Sequence, residues 1–385
     1  MACNSNDGGP VFFGDVKEIS AGGNHTVALK NDGTLWAWGA NSSGQLGDGR
    51  YTNSSISVQI PGQWKAVSAG TEHTVAIDKD DKLWAWGANW GGNLGDGTTI
   101  PRSRPVQVTE DGTTPFRDVK VVFAGDYYTV AIDKDDKLWA WGYNGYGQLG
   151  YDTTPFDRST TPMEVVTGVK WEAVSIKGSH TVAIKKDGSI WAWGSNNSGE
   201  LGYDSGPPDL NGEYYSTIPT HVAAADGHTW KAIFAGGSHT LAIDSAGKLW
   251  AWGGNFYGQL GKGSITPYNI KELSDYAPGQ VAGGYKWKSV SAGGSHTIAI
   301  KDDDTIWTWG NNIAGQLGIS SLTHSSKPVK IGGDRWKAVS AGGNHTIAIK
   351  DDGSLWAWGG NDYGQLGDDS TREKFTPVKV VQRVE

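Results

Sequence analysis

"AGGNHTVALKNDGTLWAWGANSSGQLGDG", residues 21–49, decides the fold of this chain, because almost the same words return at 341–368 as "AGGNHTIAIKDDGSLWAWGGNDYGQLGD". A catalytic site is normally built once, whereas a segment that recurs is a building unit. The number of copies and their spacing therefore predict the fold.

The unit occurs seven times, and each copy keeps two landmarks. The first is a histidine, replaced by tyrosine in the third copy, at His25, His73, Tyr128, His180, His239, His296 and His345. The second is a W-x-W pair eleven residues later, beginning at Trp36, Trp84, Trp139, Trp191, Trp250, Trp307 and Trp356. The copies are 48 to 59 residues apart, near the roughly 40–50 residues of propeller blades and above the roughly 33–34 of helical repeats.

Within a unit, "HTVAL" and the following "LWAWG" predict two strands joined by a turn. The turns carry Asp-Gly or similar words, a strong hairpin signal because glycine accommodates positive φ. Residues i and i+2 of a strand share a face, so the two tryptophans lie on one face and smaller apolar residues on the other. Two apolar faces indicate a sheet packed between two neighbours. We therefore predict an all-β fold, a seven-bladed β-propeller of mostly four-stranded antiparallel blades.

The small residues of "VSAGG", just before the histidine, predict the innermost strand, because strands crowd together near a propeller axis. We assign the fourth strand to the β-rich stretch before each unit, such as "ISVQI" or "KPVKI". "TPVKVV" follows the last unit and could pair with the first to close the ring. "GPVFF" at 9–13 competes for the same place, so the sequence leaves the closing segment open.

These units predict one domain rather than the two or three that length alone suggests. Residues 1–10 form a polar tether and residues 11–385 a single propeller. The repeat cores lie at about 15–49, 64–97, 118–150, 171–202, 230–263, 287–318 and 336–367, with a C-terminal strand at about 375–381.

The words small-small-Gly-x-x-His-Thr followed by W-x-W-G-x-N-x-x-G-Q-L-G resemble the regulator of chromosome condensation repeat family. The resemblance covers about residues 15–381 seven times over, and it implies a seven-bladed propeller; we expect a bacterial-type member. Two neighbouring units depart from the pattern: the third reads "AGDYYT", with Asp126, Tyr127 and Tyr128, and the fourth has Lys177 where glycine is usual.

Fold does not give function in this family. The proteins that this chain resembles include a chromatin-bound nucleotide-exchange factor, a plant ultraviolet-B photoreceptor and a secreted β-lactamase inhibitor. With 33 Lys and Arg against 41 Asp and Glu, the net charge is −8, which opposes nucleic-acid binding. The photoreceptor would need a G-W-R-H-T word, and none is present. The inhibitor-like members imply a propeller that acts as a protein-binding disc.

We do not expect an enzyme, a cofactor or a metal site. The single cysteine, Cys3, permits neither an internal disulfide nor a CxxC metal site. A sevenfold ring is too wide for its histidines to share one zinc ion, so we expect each to bond backbone at the crowded inner end. Turn words such as "DKDDK" lack the pattern of a calcium loop, and hairpin tips are the simpler interpretation.

Function is expected where the repeat is broken. The two residues before the glycine of each "GQLG" word vary freely and include Trp90, Tyr146, Phe256, Tyr257 and Tyr363. If these loops share one face, their aromatic side chains form an arc of the composition found in binding hot spots. Alternatively, each aromatic side chain covers the apolar edge of its own blade.

Three long connections, 98–117, 203–229 and 262–286, offer an alternative binding surface, because loops of this length are often functional. They supply Tyr214, Tyr215, Tyr268, Tyr276 and Tyr285. A third, smaller candidate near the axis comprises the departures Asp126, Tyr127, Tyr128 and Lys177, which strain relief or drift would explain equally well.

The first residues, "MACNSNDGG", are similar to a bacterial lipoprotein after signal cleavage if Met-Ala is a cloning remnant, with Cys3 as the lipidation site. We therefore expect an extracellular or cell-surface protein, held to a membrane only through such a lipid; the alternative is a cytoplasmic protein with an incidental cysteine. The function we predict is a non-enzymatic binding scaffold with a protein partner. The alternatives are a glycan-binding surface module, an enzyme with its site at one mouth of the channel, and an architectural module without a ligand.

Overall fold

A computed structural model describes residues 11–151, 158–266 and 276–382 and confirms the seven-bladed propeller. Each blade is a four-stranded antiparallel sheet whose strands follow one another in the chain. The one helical element among the described residues is a 3₁₀ turn, Ala223–Ala225. No described helix has the length and apolar character that crossing a membrane requires.

The strands number thirty along the described chain. Outside the blades lie β1, Val11–Phe12, and β30, Val381–Gln382. The first blade contains β2 to β5, Val16–Ala21, His25–Lys30, Leu35–Gly39 and Ser54–Ile60. The second contains β6 to β9, Trp64–Ala69, His73–Asp78, Leu83–Gly87 and Arg102–Gln107. The third contains β10 to β13, Val119–Ala124, Tyr128–Asp133, Leu138–Tyr143 and Arg158–Glu164.

The fourth blade contains β14 to β17, Trp171–Lys177, His180–Lys185, Ile190–Ser195 and Tyr215–His221. The fifth contains β18 to β21, Trp230–Ala235, His239–Asp244, Leu249–Gly253 and Gly279–Gln280. The sixth contains β22 to β25, Trp287–Ala292, His296–Lys301, Ile306–Gly310 and Ser325–Lys330. The seventh contains β26 to β29, Trp336–Ala341, His345–Lys350, Leu355–Gly359 and Lys374–Lys379.

The strand order separates two faces of the disc. In every blade the turn between the first and second strands and the loop between the third and fourth strands emerge on one side, which we call the loop face. The Asp-Gly type turns between the second and third strands, and the connections to the next blade, emerge on the opposite side, which we call the hairpin face. Both faces follow from the antiparallel order of four strands.

The fourth-strand assignment made from the sequence was wrong by one blade. "ISVQI" pairs with Leu35–Gly39 of the blade before it, not with the unit that follows it. The same holds for "TPVKVV", whose strand Lys374–Lys379 pairs with Leu355–Gly359 of its own blade. Each blade is therefore one continuous segment of chain, in agreement with the tendency of consecutive strands to pair with each other.

Ring closure uses the repeat itself together with both termini. The first and last blades meet as their neighbours do, for example through Ala21 N, which donates to Ser340 Oγ at 3.0 Å. Outside the blades, Val11–Phe12 pairs antiparallel with Val381–Gln382. The two segments that competed for the closing position thus meet each other: "TPVKVV" supplies the fourth strand of the seventh blade and, at its last residue, Val381, pairs with Phe12 of "GPVFF", which supplies no blade strand.

The second tryptophan of each W-x-W pair is fully buried, as the packing interpretation requires. Its indole Nε1 donates to a main-chain carbonyl in the loop of the preceding blade, at 2.9–3.1 Å in all seven copies. A further aromatic residue, at the first position of the first strand or just before that strand, packs against it, such as Trp64 against Trp86 at 5.7 Å. In the first and third blades, where no tryptophan precedes the unit, Phe13 and Phe116 take this place.

The glycine that ends each "WAWG" word is required by geometry. Gly39 has φ of +105°, and the pairing of the third and fourth strands shifts register beside it. A Cβ atom there would lie 2.6 Å from Asn24 O and 2.8 Å from His25 Cα. The register shift and the close approach together exclude a larger residue.

Candidate binding surface on the loop face

A closed ring of side-chain hydrogen bonds joins all seven blades near the axis. The Nε2 atom of each marker histidine lies 3.0–3.1 Å from the Oγ1 atom of a threonine in the next blade, and the last bond, between His345 and Thr26, closes the circle. Each threonine hydroxyl in turn donates to the loop carbonyl of the preceding blade that also accepts the indole N–H, at 2.8–2.9 Å. We expected backbone acceptors for the histidines, and the acceptor is a threonine hydroxyl instead.

This network fixes the state of the six histidines, which are all fully buried. Since each hydroxyl proton goes to a carbonyl, Nε2 must carry the proton that it donates to the hydroxyl oxygen. The Nδ1 atoms have no hydrogen-bond partner among the described residues. Burial lowers the pKa of His25 to about 4 and that of His73 to about 3, because a charged imidazole would lose its hydration without gaining an acceptor. These histidines are therefore architectural.

Tyr128 takes the place of the histidine in the third blade without breaking the ring. Its hydroxyl donates to His180 O at 2.6 Å and lies 3.2 Å from Thr181 Oγ1. The phenol is fully buried, and burial raises its pKa well above the ordinary value. Tyr128 belongs to the ring and not to a surface site.

Lys177 reaches across the central channel. A cavity of about 310 Å³ is lined by first strands of all seven blades, and Lys177 enters it from the fourth. Its Nζ donates to Ala292 O at 3.1 Å and to Ala341 O at 2.5 Å, in the sixth and seventh blades. Burial lowers the pKa of Lys177 to about 8, while the charge of Asp126 acts in the opposite direction. The ammonium therefore links the first strand of the fourth blade to the first strands of the sixth and seventh blades.

The variable loop residues predicted from the sequence all lie on the loop face, because each follows a third strand. They occur in different blades: Trp90 in the second, Tyr146 in the third, Phe256 and Tyr257 in the fifth, and Tyr363 in the seventh. Trp90 is 54% exposed and Tyr363 42% exposed. The axis-proximal departures Asp126 and Tyr127 emerge on the same face, so two of the three predicted candidates adjoin one another.

The second and third blades bring aromatic residues of both candidates together. A Cβ atom on Gly91, next to Trp90, would lie 3.0 Å from Tyr127 O and 3.0 Å from Tyr143 Cβ. Arg158 Nη1 donates to Trp90 O at 2.9 Å and holds this loop from the third blade. Tyr127 is 38% exposed, and its pKa is raised by burial and by the nearby charges of Glu72 and Asp126.

The fourth blade continues the cluster with the loop 196–214. Asn197 bridges it, because its Nδ2 donates to the Glu213 carboxylate and its Oδ1 accepts from Tyr214 N at 2.8 Å. The pKa of Tyr146, in the third blade, is raised by burial and then by the charge of Glu213.

Tyr276, from the long connection of the fifth blade, lies against the same loop, since a Cβ atom on Gly199 would meet its Cδ1 at 2.6 Å. We call the resulting surface the acidic-aromatic arc. It runs along the loop face from the second to the fifth blade and consists of the aromatic residues Trp90, Tyr127, Tyr143, Tyr146, Tyr214 and Tyr276 with the carboxylates Glu72, Asp126, Asp204, Asp209 and Glu213.

Other residues predicted from the sequence are not part of the acidic-aromatic arc. Tyr257 packs against His324 of the sixth blade at 4.9 Å between ring centroids. Tyr285 packs on Trp307 at 5.0 Å, where Lys301 Nζ also lies 4.4 Å from the phenol ring, so this tyrosine covers the edge of its own blade. Tyr215 begins a fourth strand. Cys3 and Tyr268 lie outside the described residues.

The sequence interpretation missed Tyr143 and all the carboxylates of the arc except Asp126. Tyr143 follows the third "WAWG" word, where the other copies have Ala40, Ala88, Ser195, Gly254, Asn311 and Gly360. That contrast in size was a visible signal. The carboxylates carried no such signal, because their approach to the tyrosines depends on how neighbouring blades pack.

Comparison with known proteins agrees with this architecture. The chain is 28% identical over 217 residues to the ultraviolet-B receptor UVR8 of Arabidopsis thaliana, which covers 55% of this chain and 46% of the receptor. It is 29% identical over 312 residues to the E3 ubiquitin-protein ligase HERC2 of Homo sapiens, covering 80% of this chain and 5% of the ligase. The chain thus spans less than half the length of these relatives.

Solved structures share the fold at lower identity. Yeast RCC1 (Prp20), in a crystal structure with Kap60, superposes with a TM-score of 0.74 at 21% identity, covering 90% of this chain and 83% of that one. Human WBSCR16 gives a TM-score of 0.74 at 18% identity, covering 88% of each chain. The model of the RCC1-like domain matches residues 9–209 and 111–385. Since these two matches overlap and together run from residue 9 to residue 385, the chain belongs to the RCC1-like domain family.

Proposed function

We propose that this propeller is a non-enzymatic scaffold that binds a protein partner on its loop face, through the acidic-aromatic arc. The observation that carries the proposal is the convergence of Trp90, Tyr127, Tyr143 and Tyr146 from two blades, with Trp90 and Tyr127 exposed. Tyrosine and tryptophan are enriched where binding energy concentrates, because they bury large areas at a small cost in side-chain entropy.

The relatives support a protein partner. One related propeller, yeast RCC1, was crystallised bound to Kap60, and the structure of Prp20p was described with its binding to Gsp1p and histones. These partners belong to those proteins. What carries over as a proposal is the general mode, a rigid disc whose irregular loops contact another protein.

The experiment is a quantitative pull-down from the extracellular and surface fractions of the source organism with three forms of the chain. The test variant combines Trp90→Ala, Tyr127→Ala and Tyr146→Ala. The control variant combines Tyr51→Ala, Ile313→Ala and Tyr363→Ala, which truncate exposed side chains in the loops of other blades. Thermal unfolding must show that all three forms are folded.

We expect a protein that the wild type and the control variant retain and the test variant loses, with affinity reduced at least about tenfold, as for truncated hot spots. Equal retention by all forms, or loss in the control variant alone, would contradict the proposal. A glycan captured instead of a protein would favour the glycan-binding alternative.

The enzyme alternative would place its site at the channel mouth. There the Lys177 ammonium is engaged by two carbonyls, and Tyr128 is buried within the ring. Among the described residues these groups therefore do not form an accessible nucleophile and base. Turnover of a substrate that is lost in Lys177→Met would favour the enzyme.

We also propose a bacterial-type protein on the cell surface or outside the cell, with Cys3 as the lipidated residue. This proposal depends on the sequence alone, since Cys3 lies outside the described residues. Metabolic labelling with a fatty-acid analogue, compared between the wild type and Cys3→Ser, tests it: label in the wild type alone supports the proposal, and no label in either form contradicts it.

A further inference from the structure

We infer that the acidic-aromatic arc selects a partner that presents a cationic segment, with lysine or arginine side chains inserted between its tyrosines and carboxylates. The inference rests on the proposed function and names the chemistry of the partner.

The first argument is the charge of the loop-face segments in the second, third and fourth blades. The described parts of these segments contain seven Asp or Glu and no Lys, Arg or His; they are 70–72, 88–101, 125–127, 144–151, 178–179 and 196–214. The corresponding loop of the sixth blade, 311–324, contains no Asp or Glu at all. Negative charge is therefore concentrated on one side of the loop face, where it attracts a cationic partner and steers its approach.

The second argument is that three carboxylates of the arc form no ion pair in the part of the chain that the structure describes. Glu72 accepts a hydrogen bond from Ser43 Oγ at 3.3 Å, and Asp126 accepts one from Thr71 Oγ1 at 2.6 Å. Glu213 accepts from Asn197. These donors are neutral, and none of the three acids forms an ion pair within the described residues.

Three cations near these segments bond other groups. Arg102 pairs with Asp96 at 2.9 Å, and the Arg158 guanidinium donates to the Trp90 carbonyl. Lys177 binds two carbonyls inside the channel. The arc therefore retains negative charge that a partner can neutralise.

The third argument is the placement of these acids beside aromatic rings. Tyr127 directly follows Asp126, which accepts a hydrogen bond from Thr71, the neighbour of Glu72. Tyr214 directly follows Glu213, and both bond Asn197. The charges of Glu72 and Asp126 add to burial in raising the pKa of Tyr127. A lysine or arginine side chain can lay its aliphatic stem or guanidinium plane on a tyrosine or tryptophan face while its charge meets a carboxylate. An anionic or purely apolar segment would leave these carboxylates unpaired.

The experiment measures binding of a labelled synthetic peptide of alternating lysine, arginine and serine by fluorescence anisotropy. The neutral comparison peptide carries acetyl-lysine and citrulline at the same positions. The charge variant combines Glu72→Gln, Asp126→Asn and Glu213→Gln, which keep the acceptor oxygens. Its matched control combines Asp80→Asn, Asp135→Asn and Asp302→Asn on the hairpin face, which change the net charge equally.

We expect the cationic peptide to bind the wild type and the matched control, and to bind the charge variant about tenfold more weakly, the loss expected for three partly exposed ion pairs. Binding should weaken as salt rises through about 0.15 M. Equal affinity for the neutral peptide, or equal loss in the matched control, would overturn the inference.

The two proposals fail separately. If the partner captured in the pull-down is lost on truncating Trp90, Tyr127 and Tyr146 but is retained by the charge variant at all salt concentrations, the proposed function stands and the cationic specificity is wrong. If truncation has no effect on that partner, the proposed function itself is wrong.

Discussion

Mild acid should unfold this propeller, because its six ring histidines cannot take up protons in the folded state. Burial lowers the pKa of His180, His239 and His345 to about 3, and that of His296 lies well below the ordinary value of 6.5. In the unfolded chain the same residues titrate near 6.5. The unfolded state therefore binds more protons throughout the interval between those pKa values.

Where the unfolded state binds more protons than the folded state, the free energy of unfolding falls as the pH falls. The contribution of the ring is fully present above about pH 6.5. At about pH 5.5 each histidine lowers the free energy of unfolding by about 1.4 kcal/mol, so the six together lower it by about 8 kcal/mol. Single domains are typically stable by about 5–15 kcal/mol, so the midpoint of acid unfolding should lie near pH 5, before most carboxylates titrate.

The assay is denaturant unfolding monitored by tryptophan fluorescence at several pH values from about 7.5 to about 5.5. His345→Gln is the informative variant, because glutamine keeps an N–H donor but does not titrate. It should lose some stability at neutral pH and reduce the slope of stability against pH by about one sixth.

Lys177 titrates in the alkaline range and leaves this interval undisturbed. Burial raises the pKa of Glu18, which acts in the opposite direction to the histidines as the pH falls. A change in unfolding free energy below about 3 kcal/mol between the two pH limits would refute the reasoning, since it would mean that the folded ring accepts protons.

Two further predictions concern the channel. Gly70→Ala should destabilise the fold by about 2 kcal/mol or more, because its Cβ would lie 2.4 Å from Gly125 O and 2.7 Å from His73 Cε1; the matched control, Gly333→Ala, has no atom within 4 Å and should change stability little in the same denaturant titrations. Lys177→Met tests the buried ammonium: as the pH rises from about 8 to about 10, the wild type should gain about 1–3 kcal/mol relative to the variant, since its folded-state pKa lies below that of the unfolded chain. A constant difference between the two unfolding free energies would show that Lys177 is solvated.

The sequence by itself determined the fold class, the number of blades and the order of three strands in each. These features depend on local alternation: Trp36 and Trp38 must share a strand face whatever surrounds them, and seven copies of that pattern require seven equivalent sheets. It also located the loop residues Trp90 and Tyr146, because a break in a repeat is visible without coordinates.

Only the tertiary structure decided which residues meet across blades. That His25 bonds Thr74 of the next blade, that Phe13 replaces a missing tryptophan and that the two ends pair outside the ring all join residues far apart in the chain. The acidic-aromatic arc arises in the same way, since a Cβ atom on Gly91 of the second blade would lie 3.0 Å from Tyr143 Cβ of the third. Strand periodicity predicts which face of the sheet a side chain occupies. The packing angle between blades determines which residue it contacts, and that angle is a property of the closed ring.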